Sequence, residues 1–169
     1  MVNQRYDFFA WHTMQYPWLK LIISLGLTLG LGLLGGLFTA PEIDGWYSLL
    51  QKPSFNPPNA IFAPVWTTLY LLMGISVFLV WKQPDSFQRK RALWLFAVQF
   101  VVNFCWSIIF FQLHAIGWAL VEIIILWILI LATIISFVKI SKVAAILLVP
   151  YLAWVSFATA LTAIIWKLN

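Results

Sequence analysis

Five apolar runs of about 20 residues recur along this chain, at Leu19 to Thr39, Ile61 to Trp81, Ala92 to Leu113, Ile116 to Val138 and Val143 to Trp166. Each is long enough to cross the hydrocarbon layer as a helix, at a rise of about 1.5 Å per residue. The expectation is an all-α membrane protein: a five-transmembrane-helix bundle forming one domain over residues 1–169, with a proline-rich loop at 40–60. Composition points the same way. The chain is 63% hydrophobic and 9% charged, with a mean hydropathy of +0.95, and a soluble core cannot hide that much apolar surface.

The formal charge of +5 is spread thinly over ten Lys and Arg residues. It lacks the clustered basic face that phosphate binding needs, so no nucleic-acid partner is expected. Charge instead sets topology. Arg5, Lys20, Lys82, Arg89, Lys90, Arg91, Lys139 and Lys142 fall on the side of the N-terminus, and only Lys52 and Lys167 fall opposite. The excess of positive charge places the N-terminus in the cytoplasm and the proline-rich loop outside. The run from Leu21 to Phe38 is too long and too rich in glycine for a signal peptide and reads as a retained first span. The stretch before it, "YDFFAWHTMQYPW", has the mixture expected in the headgroup layer and implies contact with membrane lipid.

Several patterns carry no chemistry. "GLGLLG", Gly30 to Gly35, matches a dinucleotide-binding spacing but sits mid-membrane, without the strand or the water that a pyrophosphate requires. Those glycines read as Gly26-x-x-x-Gly30 and Gly32-x-x-x-Gly36, which suit close helix approach within one chain or between two, so a homodimer is open. Cys105 is a small packed side chain. His12 and His114 lie near the membrane surfaces, with no carboxylate at ligand spacing, and no serine has the context of a nucleophile. No metal, no cofactor and no hydrolytic activity are expected.

Three spans present aromatic faces at helical offsets: Trp66, Tyr70 and Met73; Gln99, Asn103, Trp106 and Phe110; and Trp154, Ala158 and Thr162 with Phe157 alongside. An amide in hydrocarbon is costly, so these faces turn inward, as a packed bundle centre or as a pocket. Glu122, four residues after Trp118, is the only carboxylate inside a span and is expected to find a structural partner rather than relay protons. Pro150 removes one helix hydrogen bond and should bend the last span.

The motifs "WYSLLQKPSFNPPNAIFAPVWTTLYLLMGIS", "NFCWSIIFFQLHAIGWALVE" and "PYLAWVSFATAL", in that order and with eleven tryptophans, resemble the tryptophan-rich sensory protein (TspO) family, to which the mitochondrial translocator protein is related. The resemblance runs from the first span to the C-terminus. It implies a five-helix bundle, commonly dimeric, whose interior pocket binds porphyrins and other lipophilic small molecules. Carried over motif by motif, that pocket uses Trp66, Asn103, Trp106, Trp118, Trp154, Phe157 and Ala158. It also implies a membrane receptor or sensor, with two alternatives: light- and oxygen-dependent porphyrin breakdown through Trp66 and Trp154, or transport. Phe55 stands where many relatives carry tryptophan, and Ala163 replaces the tyrosine of the sterol motif proposed for animal relatives. The prolines then have a task, because X-Pro steps hold extended or turned backbone and can brace a lid over a flat ligand.

Overall fold

The computed structural model describes residues 16–169, so Arg5, His12 and most of the aromatic N-terminal stretch lie outside the described residues. In chain order the elements are α1 (Pro17–Asp44), a short α2 (Trp46–Leu49), α3 (Asn59–Trp81), α4 (Phe87–Ser107), α5 (Ile116–Val138), α6 (Lys142–Leu147) and α7 (Val149–Leu168). A π-helical turn, Ile108–Gln112, continues α4 and closes with Leu113 N–H donating to the Ile108 carbonyl at 3.0 Å. Five helical segments are long and apolar enough to cross a membrane: α1, α3, α4 with its π turn, α5, and α6 with α7.

The ends depart from the sequence expectation in instructive ways. Pro17 opens α1 at a position whose N–H needs no partner, and the helix runs past Pro41 to Asp44, five residues beyond the expected Thr39. Its last turn has left the apolar run without ceasing to be helical. The fourth element starts at Phe87 rather than Ala92, because the charged turn Gln88 to Arg91 is helical and capped: Ser86 Oγ accepts the Arg89 N–H at 3.1 Å. The last span is interrupted at a single residue whose backbone stays helical (φ −89°, ψ −10°). It divides at Leu148, with Pro150 in the first turn of α7.

Lipid is as apolar as leucine, so the helices are held by close packing and buried polar contacts rather than by hydrophobic exclusion. Leu33, Val101, Ile128 and Ile135 face outward, whereas Gln99, Asn103, Thr133 and Thr162 are buried. The α1–α3 crossing uses glycine from both helices. A Cβ on Gly74 would lie 2.7 Å from Thr28 Oγ1, and one on Gly32 would run into the Tyr70 ring. Gly26, Gly30 and Gly36 have nothing beside them within 4 Å. Two hydroxyls stitch the rest: Ser76 Oγ donates to the Ala144 carbonyl at 2.7 Å, tying α3 to α6, and Trp127 Nε1 donates to Ser156 Oγ at 2.8 Å, tying α5 to α7.

Candidate ligand-binding site

The loop between α1 and α3 is built to hold its shape. Extended backbone at Leu50 (ψ 144°) and Pro58 (ψ 141°) carries the chain out of α2 and into α3. Tyr47 is the peg: its ring is buried against Phe110 and Phe111, with centroids 6.1 and 5.8 Å away, and its hydroxyl donates to Asn56 Oδ1 at 2.8 Å. Asn56 completes the turn by donating its backbone N–H to the Pro53 carbonyl and its side-chain amide to the Pro57 carbonyl, both at 3.0 Å. Lys52 Nζ closes α2 by donating to the carbonyls of Tyr47, Leu50 and Ser48, groups that a helix end leaves unpaired. The Asn169 side chain exchanges two hydrogen bonds of 3.0 Å with the backbone of Gln51. The prolines stiffen this lid, and Tyr47 with Asn56 anchors it.

Burial pushes the Tyr47 phenol above its ordinary pKa, against the smaller lowering effect of the Asn56 hydrogen bond. The stabilisation linked to that shift is complete below the ordinary tyrosine range and is lost as pH rises through the raised value. Tyr47→Phe removes the donor and leaves Asn56 Oδ1 without it, a cost of about 1 kcal/mol. Hydrogen exchange at the amides of residues 50–56 is expected to quicken about fivefold, a factor equivalent to that energy. Exchange unchanged from the native chain would show that the prolines alone hold the lid.

Beneath the lid, aromatic side chains from three segments meet. Phe55 on the lid stands edge-on to Phe157 of α7 at 6.2 Å; Phe157 tilts against Trp154 at 5.6 Å, and Trp154 meets Phe62 of α3 at 6.1 Å. One turn deeper, Trp66 stacks on Tyr70 at 5.5 Å and meets Tyr151 edge-on at 6.4 Å. Polar partners lie on α4: Tyr70 hydroxyl donates to Asn103 Oδ1 at 3.2 Å, and Tyr151 hydroxyl to Gln99 Oε1 at 3.1 Å. Gln99 Nε2 and Trp106 Nε1 are buried donors without an acceptor among the described residues. Such groups are costly unless something supplies the missing bond.

The structure therefore packs Trp66, Trp154 and Ala158 around one core, with Asn103 joined to it through Tyr70, whereas Phe157 packs against a second cluster and reaches the first through Trp154. Trp106 sits at the join with a second aromatic cluster, stacked on Phe110 at 5.0 Å. Trp118 is not among them: its side chain is 73% exposed on the outside of α5. The inward stripe of α5 is Ala119, Ile123, Leu126 and Ile130, and at 3.6 residues per turn the residue before Ala119 points about 100° away. Tyr70 and Tyr151 are the buried hydroxyls that a reading centred on tryptophan undervalues. The signal was present, since Tyr151 lies three residues before Trp154 and shares its face.

Two polar residues take their surroundings from the fold rather than from neighbours in sequence. His114, in left-handed backbone at φ 52° between α4 and α5, does find a carboxylate: Glu42 at the end of α1, 3.1 Å away, with the Trp46 ring stacked on the imidazole at 4.1 Å. Glu122, expected to have a structural partner, has none among the described residues. Both its oxygens are buried and unpaired, because its surroundings on α4 and α5 include the apolar Ile109, Leu113, Val121 and Ile125. Among the described residues no three His, Cys, Asp or Glu side chains come together in a way that would hold a metal ion.

Comparison with known proteins accords with this architecture. The model of the TspO/MBR family matches residues 24–167. A tryptophan-rich protein TspO of Chlorobaculum tepidum is 41% identical over 155 residues, covering 89% of this chain and 96% of that protein. The translocator protein of Homo sapiens is 39% identical over 161 residues, covering 92% and 94%. Protein CrtK of Rhodobacter capsulatus is 36% identical over 141 residues, covering 82% and 85%. With a family match over most of its length, relatives near 40% identity and five membrane-crossing helical segments, this chain is an integral, multi-pass membrane protein of the TspO/MBR family.

Proposed function

We propose that the protein is a membrane receptor or sensor that binds a porphyrin, or a related flat and lipophilic tetrapyrrole, beneath the lid and between α3, α4 and α7. One observation carries this reading: an unbroken aromatic series, Phe55, Phe157, Trp154 and Phe62, leads from the lid into the bundle, with Trp66 and two amide-paired tyrosines below it. Rings at these separations touch one another, so a planar guest enters by parting them and recovers stacking energy on each face. The hydroxyls of Tyr70 and Tyr151 and the unpaired Gln99 and Trp106 N–H groups then serve its polar edge. The basic end of the bundle, with Lys82, Arg89, Lys90, Arg91, Lys139 and Lys142, faces the cytoplasm in this reading, and the lid faces the opposite side.

The test is a titration of the detergent-purified protein with protoporphyrin in the dark. Saturable quenching of tryptophan fluorescence is expected, with the pigment spectrum recovered intact after extraction. Quenching that rises linearly with pigment and scales with detergent rather than protein would refute a pocket. The same sample under illumination separates binding from chemistry, because new absorbance bands that depend on light and protein would indicate photo-oxidative breakdown.

A further inference from the structure

Glu122 and Trp118 lie outside the site beneath the lid, yet they share a second one. A cavity of about 340 Å³ opens on the outer side of the α4–α5 pair, walled by Ile109, Leu113, Trp118, Val121, Ile125 and Glu122. Glu122 is the seventh residue of α5, about 9 Å along the helix from its start, which sets it below the membrane surface but within reach of it. Its oxygens accept no hydrogen bond and show almost no surface, so it borders the cavity through its carbon atoms. For an occupant of the cavity to reach the carboxyl, the side chain has to rotate about its torsions into that space.

A carboxylate in hydrocarbon is costly until an opposite charge and hydrogen-bond donors reach it. Among the described residues no hydrogen-bond donor reaches either oxygen of Glu122, and the other cavity-lining side chains are apolar or aromatic. The geometry points to a binding site for a lipophilic amine, its ammonium group paired with Glu122 and its hydrocarbon part lying along Ile109, Leu113, Val121 and Ile125. Three features fit this occupant. An ammonium carries up to three N–H donors, which match the two vacant carboxylate oxygens. Trp118, exposed at the rim, offers an indole face to a cation on its way in, the strongest of the aromatic cation acceptors. The cavity opens toward lipid, where amphiphilic amines concentrate, so the tail need not be enclosed.

The site is independent of the pigment reading and is tested without pigment. The full chain is placed in phosphatidylcholine bilayers, whose headgroups carry no net charge, with nitroxide-labelled stearylamine or the matching stearyl alcohol. Electron paramagnetic resonance then reads the fraction of each probe held immobile by protein. The native chain is expected to prefer the amine over the alcohol by about tenfold, the factor appropriate to one charge-assisted contact. Glu122→Gln, which keeps the shape and removes the charge, should bring that preference close to one, with an unchanged unfolding midpoint by circular dichroism. Glu122→Asp, with the charge on a shorter side chain, should retain part of it. No preference in the native chain, or a preference that survives in Glu122→Gln, overturns the assignment.

Discussion

Replacing Gly74 with leucine is expected to destabilise the folded bundle by about 3 kcal/mol, the upper range for overpacking a filled contact. The reason lies in what surrounds the glycine. A single added carbon would sit 2.7 Å from Thr28 Oγ1, 2.8 Å from Leu25 Cδ2 and 3.2 Å from the Leu25 α-carbon. The last of these is backbone and cannot swing aside. Thr28 is also pinned, since its hydroxyl donates to the Ser24 carbonyl at 3.0 Å. The larger side chain therefore forces α1 away from α3, and in lipid the separated faces regain nothing by excluding water. Unfolding in mixed micelles of rising dodecyl sulfate content, followed by circular dichroism, measures the loss. Gly36→Leu is the control: it has open space around it and should fall within about 0.5 kcal/mol of the native chain. Equal effects from the two changes would show that the α1–α3 crossing does not limit stability.

The second large effect concerns the pigment. Trp66→Ala combined with Trp154→Ala should weaken protoporphyrin binding about a hundredfold in the dark quenching titration. Stacking of a planar ring on an aromatic side chain is worth about 1–3 kcal/mol, and two such losses, not fully additive, convert to roughly that factor. These two rings are chosen because they lie on different helices and touch different partners: Trp66 meets Tyr70 and Tyr151, and Trp154 meets Phe62 and Phe157. Removing both strips a wall from each side of the guest. Trp94→Ala, from an indole 70% exposed on the outer surface of α4, should leave the affinity within about twofold, well under 1 kcal/mol. Native affinity in the double variant would overturn the placement of the site.

How much of this was legible in the sequence depended on the length of the pattern that carried it. A 20-residue apolar run is a strong signal, and every span it marked contains helix. The ends were weaker, since Phe87 to Arg91 and Ala40 to Asp44 continue helices through polar residues that a hydropathy reading assigns to loops. Helical phase was legible for Trp66, Asn103 and Trp154, whose motifs fix several residues on one face. Trp118 came from the resemblance alone and not from phase, and its side chain is exposed on the outside of α5. Contacts between distant segments left no trace in spacing: Tyr47 with Asn56, His114 with Glu42, and the solitude of Glu122 each depend on what the fold brings near, or fails to bring near.

The π turn at Ile108–Gln112 has a consequence for design. Neighbouring residues in a regular helix diverge by about 100°. Here Phe110 and Phe111, 2% and 8% exposed, lie within a turn widened by one surplus residue. That local slack works as a vernier between the amides of α4 and the connection to α5. Chimeras that exchange this segment with a relative must therefore conserve residue count across it, since a one-residue gap would re-aim whichever half of the rod is left free to turn.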